Sequence, residues 1–126
     1  MVRVLVVDDD PVIRRLLQLN LELDGHEVRS ADDGRAGLAA IIADPPDVVL
    51  LDVMMPHLDG FQVCAAVRAH DDPTVASTPV IMLSAKAQQS DLDAGSVAGA
   101  DSYVTKPFDP LELVAEVERL ARRRGD

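Results

Sequence analysis

Asp8 and Asp9 follow the apolar run Val4-Leu5-Val6-Val7, and Asp52 follows Val48-Val49-Leu50-Leu51. Ser84 follows Val80-Ile81-Met82-Leu83, and Lys106 follows Tyr103-Val104-Thr105. Together these are three carboxylates, one hydroxyl and one ammonium. Two carboxylates ~5 Å apart repel by roughly 3 kcal/mol at an effective dielectric near 20, so three of them in one place take up protons or bind a cation. A donor set of oxygens without His or Cys suits a hard divalent ion, most naturally Mg2+, which keeps several waters and accepts phosphoryl oxygens. A carboxylate beside Mg2+ and a fixed ammonium can attack phosphorus and form an acyl phosphate, with positioning and charge neutralisation as the protein's main contribution.

That chemistry requires the five groups to meet, and the intervening elements decide whether they do. Residues 2–7 form a β-branched run. Residues 11–23 place Ile13, Leu16, Leu17 and Leu21 at helical spacing. Asp10-Pro11 reads as an N-cap with Pro at the first helical position, and Asp24-Gly25 as the stop. Strands are expected over 26–30, 47–51, 79–83 and 102–105. Helices are expected over 33–43, about 61–70 and 87–98, the last of these interrupted by Gly95. A final helix starts at Asp109-Pro110-Leu111-Glu112, which has capping-box spacing, and runs to about 123. Five β–α units in succession imply parallel pairing, because parallel strands need crossovers. The third and fourth runs are apolar at successive positions, as in a sheet covered on both faces. The expected fold is an open α/β three-layer sandwich of (βα)5 form, with a parallel five-stranded sheet. In an open parallel sheet all carboxyl ends share one edge, where ligands bind, so all five groups are expected on one rim.

Composition narrows the function further. The chain has 126 residues, enough for one domain: 1–124 as the functional unit and 125–126 as a tail or linker stub. Its net charge of −10 leaves no footprint for direct nucleic-acid or anionic membrane contact. One cysteine, Cys64, excludes an internal disulfide and suits a reducing cytoplasm. Apolar runs fall short of the ~20 residues of a membrane helix, and the start, Met1-Val2-Arg3-Val4, enters a strand directly, so no secretory signal is expected. His26, His57 and His70 are scattered without metal-ligand spacing, Cys64 reads as core, and Asp59 as a helix cap. The arginines at 119, 122, 123 and 124 favour a helix C-terminus.

Four blocks carry a resemblance: Val4-Leu5-Val6-Val7-Asp8-Asp9-Asp10, Leu51-Asp52-Val53-Met54-Met55-Pro56-His57-Leu58-Asp59-Gly60, Met82-Leu83-Ser84-Ala85, and Gly99-Ala100-Asp101-Ser102-Tyr103-Val104-Thr105-Lys106-Pro107-Phe108. Together they resemble the receiver domain of two-component response regulators over residues 2–121. The resemblance implies a flavodoxin-like (βα)5 three-layer sandwich with strand order 2-1-3-4-5. The resemblance implies that Asp52 accepts a phosphoryl group from a phosphohistidine on a sensor kinase or histidine phosphotransfer protein. It implies a Mg2+ site made by Asp9 directly, Asp8 through water, Asp52, and the backbone carbonyl of Met54. It gives Lys106 the pairing with the phosphoryl group, with Lys106-Pro107 a candidate cis peptide, and Ser84 a hydrogen bond to a phosphoryl oxygen. Tyr103 takes the switch position, turning inward as Ser84 moves and repacking the face of the fourth helix, fifth strand and fifth helix, where partners dock. Ser84 stands where Thr is commoner, and Lys86 lies two residues beyond it, where the family tunes phosphoryl lifetime. A downstream output domain and a phosphorylation-dependent homodimer are further implied partners.

Haloacid-dehalogenase-like phosphatases are the competing family, since they also place Asp-x-Asp-x-Val after their first strand and Asp8-Asp9-Asp10-Pro11-Val12 fits. That reading makes Asp8 the nucleophile and leaves Asp52 without a role. A constitutive binding scaffold is the third, against which the intact acidic set speaks. The reading preferred is a signalling switch with autocatalytic phosphotransfer and autodephosphorylation, not an enzyme.

Overall fold

The computed structural model describes residues 1–85 and 88–125. The elements run β1 (Arg3–Val7), α1 (Pro11–Leu23), β2 (Glu27–Ala31), α2 (Gly34–Ala43), β3 (Val48–Asp52), α3 (Gly60–Arg68), α4 (Pro73–Ala76), β4 (Val80–Ser84), α5 (Gln89–Ala98), β5 (Ser102–Thr105) and α6 (Pro110–Gly125). The five strands are parallel in the order β2-β1-β3-β4-β5. The expected class and strand order are therefore found. The start expected for the fourth helix at Ala87, Lys86 and the terminal Asp126 lie outside the described residues.

Strand alternation builds two cores. Leu5, Val7, Val49, Leu51, Val80 and Met82 face α2 and α3 through Ile41, Val63, Cys64 and Val67. Val4, Val6, Val48, Leu50, Ile81 and Leu83 face α1 and α6 through Leu17, Leu21, Val117 and Leu120. β3 and β4 are buried along their whole length, which matches their unbroken apolar runs. Cys64 is core, and burial pushes its thiol up to about 11.

The 17 Asp against 5 Glu have a local explanation. The short carboxylates of Asp10, Asp33, Asp59 and Asp72 each accept a backbone N–H at the start of a helix, and Asp109 does the same for Leu111 at 2.9 Å. Each such cap contributes about 1 kcal/mol. Asp59 and Gln62 complete a reciprocal capping box on α3. The cap at Asp72 opens α4, a four-residue helix in a stretch where no element is expected from the sequence.

β2 starts one residue later than expected. His26 is spent on ending α1: its N–H donates to Leu21 O, and its Nδ1 accepts the Val2 N–H at 3.1 Å.

Glycine is required where α3 begins. A Cβ on Gly60 would lie 2.5 Å from the Asp52 carbonyl oxygen and 2.9 Å from Val53 Cα, both of them backbone atoms. Gly60→Ala is therefore expected to lower stability by about 1–3 kcal/mol, read as a drop in the thermal midpoint. An unchanged midpoint would show that α3 can shift freely away from β3.

Candidate functional site

All the carboxyl ends lie on one edge. By alternation Asp52 continues the row of Val48 and Leu50, and Asp8 the row of Val4 and Val6, both on the α1–α6 side. Ser84 continues the row of Val80 and Met82 on the opposite side, where Tyr103 pairs with Met82. The rim thus carries its acidic groups in one layer and its hydroxyl and aromatic in the other. Asp8 is 0% exposed, Asp52 4% and Ser84 1%, whereas Asp9 is exposed.

Lys106 bridges the acids. Its Nζ donates to Asp8 Oδ2 at 3.1 Å and to Asp52 Oδ1 at 3.3 Å. The Lys106-Pro107 bond is cis, as expected, and the Lys106 N–H donates to Ser84 O at 2.7 Å. Carboxylate oxygens of Asp8, Asp9 and Asp52 all lie within 4.8 Å of one another. The oxygen-only donor set and this spacing fit a hard divalent cation.

Burial, then the adjacent charge of Asp8, pushes the Asp52 carboxyl up to about 6, against the opposing effects of Lys106 and the Met54 N–H. Burial alone would depress the Lys106 ammonium. Asp8 and Asp52 outweigh it and hold Lys106 above its ordinary value. Asp52 is thus mostly ionised at neutral pH but retains a high basicity for a carboxylate, which is what an oxygen nucleophile needs.

The structure brings Asp8, Asp9, Asp52 and Lys106 together, and sets Ser84 at the end of the strand beside Asp52. Met54 lies two residues beyond Asp52 and is 57% exposed at the rim. Tyr103 is half-buried away from the acids, against α5. A Cβ on Gly95 would come within 2.9 Å of its ring, so the glycine that interrupts the helical pattern makes room for the aromatic. Asp10 is an N-cap, accepting the Val12 N–H at 2.9 Å.

Two features were not foreseen. Arg14 Nη1 donates to the Asp8 carbonyl at 2.7 Å, directly behind the acidic pair. A second cluster, Asp24, His26 and Glu118, gathers at the opposite edge of the sheet. Nδ1 of His26 is already an acceptor for Val2, so a neutral ring carries its proton on Nε2, which faces Glu118 Oε2 at 3.3 Å.

The sequence model of the response regulator receiver domain matches residues 4–118. The transcriptional regulatory protein CseB of Streptomyces coelicolor is 52% identical over 97% of this chain and 50% of its own length. RpaA of Synechocystis sp., a DNA-binding dual master transcriptional regulator, is 46% identical over 98% of this chain and 50% of its own. The chain thus spans about half the length of these curated relatives. The receiver domain of the Francisella response regulator 1452 superposes with a TM-score of 0.90 at 35% identity, covering 98% of this chain and 99% of that one. The charge-based expectation of no direct nucleic-acid contact gains no support from these relatives, one of which carries DNA binding in its name.

Proposed function

The chain belongs to the response regulator receiver domain family, and from that premise we propose that it is a phosphorylation-controlled switch with Asp52 as the phosphoacceptor. The donor is a phosphohistidine on a sensor kinase or histidine phosphotransfer protein. A carboxylate oxygen of Asp52 attacks phosphorus, the P–N bond breaks, and the imidazole leaves with the bonding electron pair. Asp8, Asp9, Asp52 and the Met54 carbonyl would hold Mg2+. The bound ion would supply positive charge shared between the carboxylates and the phosphoryl oxygens. Lys106 neutralises the charge delivered to Asp52. Ser84 donates its hydroxyl hydrogen to a phosphoryl oxygen after transfer, and Tyr103 follows it inward, which alters the α5–β5–α6 face. Autodephosphorylation positions a water in the same site, and the protein is a switch rather than an enzyme.

The partners proposed are the kinase, an output domain or protein, and a homodimer formed on phosphorylation. The receiver unit is taken as residues 1–124, with 125–126 a tail or linker. A cytoplasmic setting accords with the chemistry, and among the described residues no helix is long and apolar enough to cross a membrane.

One observation carries this reading: the ammonium of the residue after β5 lies 3.1 and 3.3 Å from two buried carboxylates, one just after β1 and one at the end of β3, at the strand ends where a phosphoryl group can enter. The competing reading, with Asp8 as the nucleophile of a haloacid-dehalogenase-type phosphatase, needs Asp10 as a second catalytic acid, and Asp10 is committed to capping α1. Protein treated with acetyl phosphate and Mg2+ is expected to carry its label on Asp52 by peptide mapping, and to take none in the presence of a chelator. Label on Asp8 would install the phosphatase reading, and label independent of metal would show that the acidic cluster is misread.

A further inference from the structure

We propose that Arg14 is a positioning residue for the acidic pair, acting on the peptide that joins Asp8 to Asp9. The inference rests on the receiver reading of the same site and adds a residue to it. Every polar group of Asp8 is held by the protein. Its N–H donates to Ala31 O at 3.2 Å, Oδ1 accepts the Asp10 N–H at 2.9 Å, and Oδ2 accepts from Lys106. Its carbonyl accepts from Arg14 at 2.7 Å, the one side chain among the described residues that holds it.

Asp9 is in the opposite situation. It is exposed, and among the described residues its carboxylate makes no hydrogen bond or ion pair, so its backbone sets where it points. The Asp8 carbonyl lies in the peptide plane that contains the Asp9 nitrogen. Turning that plane rotates Asp9 about its φ and swings its carboxylate relative to Asp8 and Asp52. A guanidinium fixed on the Asp8 oxygen opposes that rotation.

The fold explains how Arg14 gets there. Side chains of a helix lean toward its N-terminus, and Arg14 sits in the first turn of α1, its N–H on Asp10 O at 3.1 Å. From that position a long side chain reaches back past the cap to the strand end. Its outer side lines a shallow cleft with Ser30 and Asp32. Arg15, one residue on, is exposed and has no such bond among the described residues. It offers the same charge on the same helix without the contact.

The two arginines separate positioning from charge. A bystander cation near a divalent-metal site repels the metal, so deleting it tightens Mg2+ binding. Deleting a positioning residue weakens it. Arg14→Met keeps the aliphatic stem and loses the donor, and is expected to weaken Mg2+ binding about tenfold, as loss of an outer-shell partner does. In calorimetric titration Arg15→Met should match wild type or bind slightly tighter. Acetyl phosphate labelling of Arg14→Met should recover toward the wild-type rate at saturating Mg2+. Arg14→Lys keeps charge and one donor, and should return most of the affinity. Thermal midpoints in chelator establish that each variant is folded, and if Arg14→Met is not, Arg14→Lys is still expected to bind Mg2+ less tightly than Arg15→Met. Mg2+ affinity in the Arg14 variants equal to or above wild type would overturn the proposal. A wild-type protein that neither binds Mg2+ nor takes label would instead count against the receiver reading itself.

Discussion

Asp52→Asn is expected to leave no phosphoryl label after treatment with acetyl phosphate and Mg2+, and at the same time to raise the thermal midpoint of the metal-free protein at pH 8. The first effect follows because the amide has no anionic oxygen to attack phosphorus. The second follows from burial. The Asp52 carboxyl is 4% exposed, beside Asp8, and is pushed up to about 6 from an ordinary 3.8. A folded-state value above the unfolded one means that the folded protein binds the proton more tightly. The associated stability is fully present below pH 3.8 and is lost as pH rises through about 6. About two pH units correspond to roughly 3 kcal/mol at most, a figure already net of the attraction to Lys106; the buried amide N–H donors that Asn brings must also be satisfied, which reduces the gain to about 1–2 kcal/mol. The midpoint should rise by roughly 3–8 °C. Near pH 4.5 the folded wild type already holds the proton, so the gain should shrink toward zero. Label on the Asn variant at the wild-type level would remove Asp52 as acceptor. A stability gain of equal size at both pH values would remove the electrostatic explanation.

Asp52 was readable from sequence because two local facts suffice to place it. An unbroken apolar run is a covered parallel strand, and the strands of a parallel sheet all end on one edge. The same reasoning places Asp8, Ser84 and Lys106, and the structure keeps all four at strand ends. What stayed hidden is what periodicity does not encode. α4 has four residues, too few to show a helical repeat, although Asp72-Pro73 opens it just as Asp10-Pro11 opens α1. Arg68 resembles any exposed basic residue at the end of a helix. In the structure its guanidinium donates to the carbonyls of Ala76, Thr78 and Gly99 and to the Asp101 carboxylate. It thereby ties α3 to the turns that enter β4 and β5. Three of these four partners are backbone oxygens, which every residue possesses, so no residue type announces them. Arg14 was hidden for the same reason. Side chains that recognise other side chains leave a trace in composition, and those that recognise backbone do not.

Replacing Lys106 is expected to change stability in the opposite sense to replacing Asp52, though the two side chains touch. Lys106→Met leaves Asp8 and Asp52 as buried carboxylates without their shared cation. Breaking a buried pair from one side costs about 3–5 kcal/mol, and the 22% exposure of the Lys106 side chain reduces this to about 2–3 kcal/mol at pH 8. The deficit has two limits. On the acid side it closes as the carboxyls take up protons, Asp52 near pH 6. On the alkaline side the Lys106 ammonium is held above its ordinary 10.5 by the two acids, so its contribution is fully present below pH 10.5 and fades as pH rises through the folded-state value. The difference in midpoint between wild type and variant should therefore be broadest between about pH 7 and 10. Mg2+ should bind the variant more tightly than wild type, because the cluster has lost a competing cation. Labelling by acetyl phosphate should nevertheless fall by about 10²-fold, the usual cost of deleting one preorganised charge from a phosphoryl-transfer site. Tighter metal with slower transfer would separate the two duties of the rim: carboxylates that hold the ion, and an ammonium that accommodates the charge arriving on Asp52. If transfer proceeds at the wild-type rate while the metal binds more tightly, Lys106 is only a counter-ion for the resting acids, and the charge of the incoming phosphoryl group is met by the metal site alone.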